Sequence, residues 1–249
     1  MSRIRFLIVS LLVAVAFYIS SRIFQEFPLL FTDKQSDTPV QIAKATDTPI
    51  SYVTSLGLMQ GHLLVAQELL LQGAPAQAEP HLGHPVDELY ALVEKQLEEY
   101  NAPQFREQLD KIYELARYEP ANPEINIGYK ESVAAIDAAI DTLPPTELQS
   151  PQFLDQVIYE MLHTAEVEYE AGIANNRVVA RIEYQDARGF VLYTEKFYKE
   201  FYENSWPKSS IISTSLDKLK NAFPSVNPPE SIKVSPEDFS KVMETIKPA

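Results

Sequence analysis

From residue 51 onward the apolar side chains recur every three or four positions, and Pro or Gly cuts the recurrence at short intervals. That pattern specifies amphipathic helices joined by short loops, which makes sequential helices antiparallel neighbours. Leu56, Met59, Leu63, Ala66 and Leu70 keep the spacing until Gly73-Ala74-Pro75 stops the first helix. A short piece, Ala76 to His84, follows. Pro85 then suits a first helical position, with Asp87 and Glu88 in the first turn, in a helix running to Glu99 or Tyr100. Pro103 opens the next, with Phe105, Leu109, Ile112 and Leu115 in register, and Pro120 and Pro123 break it. Ile127 to Leu143 ends at Pro144-Pro145, and Ser150-Pro151 caps a helix that runs to about Gly172. Asn175-Asn176 makes the turn into a long helix from about Arg177 to Asn204. A helix from Ile211 to Phe223 and a short last one capped by Ser235 complete the chain. No stretch alternates with period two over a useful length, so no sheet is expected. The expectation is an all-α, up-and-down antiparallel bundle of about six helices over residues 51–206, with 207–249 as a C-terminal appendage.

Ahead of the bundle, Arg3 and Arg5 precede an apolar run, Phe6 to Ala16, that extends from residue 4 to about 20. Residues 1–24 therefore read as a signal peptide cleaved after Ala14-Val15-Ala16, or as an uncleaved membrane anchor. Either reading delivers the rest of the chain to an extracytoplasmic compartment, secreted or anchored. Residues 25–50 mix Pro, Thr, Asp and Ser without period, as a linker or arm does. The chain has no Cys, so its core must hold without disulfides.

Charge and motif content exclude several functions. A formal net charge of −14 repels phosphate backbones, which argues against nucleic acid as a partner. None of the seven glycines forms a nucleotide-cradling motif. HExxH, GxSxG and a Cys nucleophile are all absent, and no carboxylate pair is marked as acid and base, so no catalytic residue is assigned.

Histidine is the informative residue. The chain has four, and His62, His81 and His84 fall within 23 positions. His62 lies roughly 16 Å before the turn at Gly73, and a helical return from Pro75 climbs about 15 Å to His84. His62 and His84 should therefore stand at one height, with His81 a turn away and Glu88 four residues beyond His84 on the same face. Imidazoles with a carboxylate suit Fe, Cu or Zn, so His62, His81, His84 and Glu88 form the first candidate metal site. The competing reading makes these histidines helix caps and interhelix hydrogen bonders.

Glu160 to His163 is a literal ExxH on a helix, extended by Glu166. Counting residues outward from the turn at Ala174-Asn175 sets Glu166 opposite Glu183 and His163 opposite Asp186. Glu160, His163, Glu166, Glu183 and Asp186 form the second candidate site. A carboxylate di-metal oxidase would need a second ExxH, which the sequence lacks. The competing reading is a polar network in which Arg181 and Arg188 pair with Glu166, Glu168 or Glu183. Tyr184, Phe190, Tyr193, Phe197 and Phe201 form an aromatic stripe read as core.

The segment from Glu168-Tyr169-Glu170-Ala171-Gly172-Ile173 through Val178 to Ile182-Glu183-Tyr184-Gln185-Asp186-Ala187-Arg188-Gly189-Phe190 resembles a helical hairpin in the extracytoplasmic region of bacterial FTR1-type iron permeases. Gly61-His62 with His81-x2-His84-Pro85-x2-Glu88-Leu89-Tyr90 resembles part of exported bacterial helical proteins. The sequence has no multi-span permease region and no REXXE motif, so the resemblance implies a metal-handling accessory rather than the permease. The expected function is a non-enzymatic metal-binding or metal-sensing accessory for iron or copper, with a membrane protein as partner. The alternative is a metal-free structural or assembly subunit of a membrane complex.

Overall fold

The structure, a computed structural model, describes residues 48–202 and 206–248. The segments read as signal or anchor and as most of the arm lie outside the described residues. Helix α1 (Pro49–Leu71) begins at a reciprocal cap. Thr48 Oγ1 accepts from the Ser51 N–H, and the Thr48 N–H donates to Ser51 Oγ, both at 3.1 Å, with Pro49 at the first helical position. Gly73, at φ +72°, ends it in a left-handed turn. Buried residues occupy every side of α1 from Tyr52 to Leu69, because helices pack around it on several faces. It is the central helix among the described residues.

Helix α2 (Pro75–His84) returns along α1 and does not stop at Pro85. The chain passes through a π-turn, Pro85–Leu89, into α3 (Tyr90–Glu99), with the Tyr90 N–H bonded to the Pro85 carbonyl five residues back. Pro85 has no N–H to give, so the α ladder widens here instead of breaking. Helices α4 (Arg106–Tyr118) and α5 (Glu124–Ile140) form an antiparallel pair beyond α2, and the single turn α6 (Pro145–Leu148) leads into α7 (Pro151–Gly172). The Ser150 hydroxyl caps α7 by accepting from the Phe153 N–H.

The connection from α7 to α8 (Arg181–Phe201) corrects the expectation of no sheet. Asn175 and Asn176 both take positive φ, 51° and 62°, which makes a type I′ turn. Its twist matches that of paired strands, so Ile173–Ala174 (β1) and Arg177–Val178 (β2) form a two-residue antiparallel ladder. The short polar turn carried no alternating pattern to announce it.

Helices α9 (Ser209–Lys220) and α10 (Pro236–Ile246) pack on α8, on α7 and on each other. Residues 207–249, set apart in the sequence as an appendage, thus lie in the same compact unit as the rest of the described chain. Tyr169 of α7 stacks with Phe239 of α10, and its hydroxyl donates to the Val234 carbonyl at 2.8 Å. The aromatic stripe on α8 is core: Tyr184, Phe190, Tyr193 and Phe197 are buried and Phe201 is half-buried. The fold is an all-α antiparallel bundle. Among the described residues no helix is long and apolar enough to cross a membrane.

Candidate metal centre

The backbones of α1 and α8 cross in close contact, and two glycines permit it. A Cβ on Gly61 would stand 2.7 Å from Phe190 Cδ1, and a Cβ on Gly189 would overlap the Gly61 carbonyl. Gly61 directly precedes His62, and Gly189 lies one turn beyond Asp186, so this crossing delivers the His62 ring to the Asp186 carboxylate. Helix α2 supplies His81 and His84 from a third direction.

One ligand atom from each of His62, His81, His84 and Asp186 can be chosen so that all four lie within 4.8 Å of one another. His62 Nδ1 is 2.8 Å and His81 Nδ1 2.7 Å from Asp186 Oδ1. His84 Nδ1 stands 3.3 Å from Asp186 Oδ2, outside hydrogen-bond alignment, and is buried without a hydrogen-bond partner. The His62 and His84 rings meet edge to face with centroids 4.8 Å apart, and Phe190 closes the other side of His62 at 4.9 Å. His81 is fully buried and His62 and Asp186 nearly so, whereas the His84 side chain keeps 24 % of its exposure. The cluster therefore faces solvent past His84.

The electrostatics follow from this burial. Burial penalises the Asp186 carboxylate, but the three imidazoles overcome the penalty and hold it well below the usual carboxylate range. Burial dominates at His62 and lowers its pKa to about 4 in spite of Asp186. At His84 burial acts downward too, but Asp186, followed by Glu88 and Glu168, raises the pKa to about 9. Glu168 on α7 is pushed up to about 8 by burial and by the charges of Asp186 and Glu183.

The two sets read from the sequence are thus recombined. His62, His81 and His84 do meet at one centre, at the height the helix arithmetic gives. Glu88 is not among the residues whose ligand atoms converge; it sits exposed in the π-turn, where its charge still acts on His84. Asp186 takes the fourth position, leaving the set read around His163. Counting from the hairpin turn fixed its height on α8 but not its direction, which is toward α1 and α2. His163 pairs with Glu166 on its own helix at 3.1 Å, with its ring stacked on Tyr159. Glu160 accepts from Gln156 at 3.0 Å, and Glu183 acts on Glu168 across the hairpin. The arginines do not compete with a cation here: Arg188 pairs with Glu68 of α1 and Arg181 with Gln77. Met59, three residues before His62, is core. The sequence reading missed Gln185, whose Oε1 lies 3.0 Å from His81 Nε2. The paired glycines at 61 and 189 were the available signal that α8 faces α1 at this level.

Three imidazoles, once they have shed their protons in favour of a cation, and one carboxylate make a donor set for a transition metal. The buried, unbonded His84 Nδ1 fits that use, because a cation would satisfy it. No curated protein and no solved structure matches the chain. Of the four clustered residues, Asp186 alone falls within residues 144–249, the segment spanning α6 to α10 that matches the family model described as an iron permease-associated 4-helix bundle domain.

Proposed function

We propose that the protein is an extracytoplasmic, non-enzymatic accessory that holds a transition-metal cation through His62, His81, His84 and Asp186 and acts beside a membrane iron permease. The observation that carries the reading is the convergence of three imidazoles on one buried carboxylate, with His84 Nδ1 3.3 Å from it and outside hydrogen-bond alignment. The match of residues 144–249 to an iron permease-associated domain supports iron as the cargo and a permease as the partner. The site's exposure at His84 alone suits reversible loading from one side.

Elemental analysis and Co(II) titration of the purified chain and of the His62→Ala/His84→Ala double variant test this. The expected result is one bound ion per wild-type chain and none in the variant. Equal metal content in the two proteins overturns it.

A second reading has one observation in its favour. Asp186 already accepts from His62 and His81 within the protein, so the cluster can serve as a buried polar lock between α1, α2 and α8. The chain is then an assembly subunit whose histidines are structural. Wild-type protein that co-purifies with a membrane subunit but takes up no metal supports it.

A further inference from the structure

Gln185 is 1 % exposed and sits between the cluster and the loop after α9. Its Nε2 donates to the Val226 carbonyl at 3.1 Å, which turns Oε1 toward His81 Nε2, 3.0 Å away. Reversing the amide would set Oε1 against the Val226 carbonyl oxygen, two acceptors facing each other in a buried place. An amide oxygen only accepts, so His81 Nε2 must carry the hydrogen. On its other edge the ring presents Nδ1 to Asp186 at 2.7 Å.

We propose that Gln185 is a positioning residue that sets the ring chemistry of His81 for metal binding. A metal-binding imidazole ring has two tautomers available. Hydrogen on Nδ1 would keep the charge-assisted bond to Asp186, the stronger of the two bonds on offer, and would aim the lone pair away from the cluster. The Gln185 oxygen removes that option, because a bare Nε2 facing it would leave two buried lone pairs opposed. His81 then keeps Nε2–H and points the Nδ1 lone pair at the centre shared with His62, His84 and Asp186. Because the amide is itself held by Val226, the backbone between α9 and α10 orients a side chain on α2.

This inference rests on the metal reading above, and the test separates the two. Co(II) affinity is measured on the full chain for wild type, Gln185→Met and Gln185→Glu. Removal of a group that orients a metal-bound histidine weakens binding about 10–100-fold. That loss is expected in Gln185→Met, with binding largely recovered in Gln185→Glu, whose carboxyl, protonated on the oxygen toward the Val226 carbonyl, keeps an accepting oxygen facing His81. Equal affinity in all three, or the same loss in both variants, overturns the role of Gln185 while leaving the metal reading standing. A wild type that takes up no Co(II) overturns both. A measurement independent of variant folding is the long-range ¹H–¹⁵N imidazole spectrum of wild type saturated with Zn(II). His81 should carry its hydrogen on Nε2 and its metal shift on Nδ1, and hydrogen on Nδ1 contradicts the proposal.

Discussion

His163 with Glu166, and His62, His81 and His84 with Asp186, use the same functional groups in opposite ways. The first pair lies three residues apart on α7, partly buried, its contact set by helix geometry. The second group draws on α1, α2 and α8, and its members meet only because the whole bundle closes around the Gly61–Gly189 crossing. A local pair persists whenever its helix does and returns little to the fold. A convergent, buried group is a property of the native state, so whatever binds it stabilises that state.

The largest contrast between the two regions should come from removing a carboxylate charge. Asp186→Asn leaves the His84 cation without its buried partner, a loss on the order of 3–5 kcal/mol in urea denaturation. Glu166→Gln breaks a single partly buried pair within one helix and should cost less, about 1 kcal/mol. Equal losses would erase the distinction. Next in size is metal itself: Co(II) at about 100 times its dissociation constant should add about 2.7 kcal/mol to the stability of wild type. His163→Ala should retain that gain and His84→Ala should lose it. Gly189→Ala drives a methyl group into the α1 backbone and should cost about 1–3 kcal/mol while weakening Co(II) binding, because it separates His62 from Asp186.

The comparison is also sharpened through pH. In metal-free protein the His84 pKa is raised from 6.5 to about 9, so between those values the folded state holds a proton the unfolded chain has lost. Its stabilisation is complete below 6.5 and is lost as pH rises through 9. The His62 pKa is lowered to about 4, so the unfolded chain takes a proton first and stability falls as pH drops from 6.5 toward 4. The depressed Asp186 extends the fall to more acid pH. Glu168, raised to about 8, adds its own loss of stability between 4.5 and 8, so stability should be highest between about pH 4.5 and 6.5, and His84→Ala should reduce the alkaline limb without abolishing it. Thermal melts across pH 4–10 check both limbs.

Much of this architecture is legible in local sequence, because it is set by local chemistry. Ser150, Ser235 and the prolines that follow them start helices where side-chain caps and fixed φ favour them. The two-residue ladder beside Asn175-Asn176 is not legible as a sheet, since its strands are too short to show a period. Rise per residue brings His62 level with His84 with no knowledge of the fold. Glu88 and Asp186 mark where such arithmetic fails, for separate reasons. Glu88 lies exposed in a π-turn that no periodicity announces, and distance from a hairpin turn gives height without azimuth. Gln185 had no signal of its own, because its role depends on the Val226 carbonyl, 41 residues away in sequence.

The most direct test is an anomalous difference map from crystals of the full chain grown with Co(II). The account predicts one strong peak about 2.0–2.2 Å from donor atoms of His62, His81, His84 and Asp186. A featureless map at that position, or a peak at His163 and Glu166 instead, contradicts it.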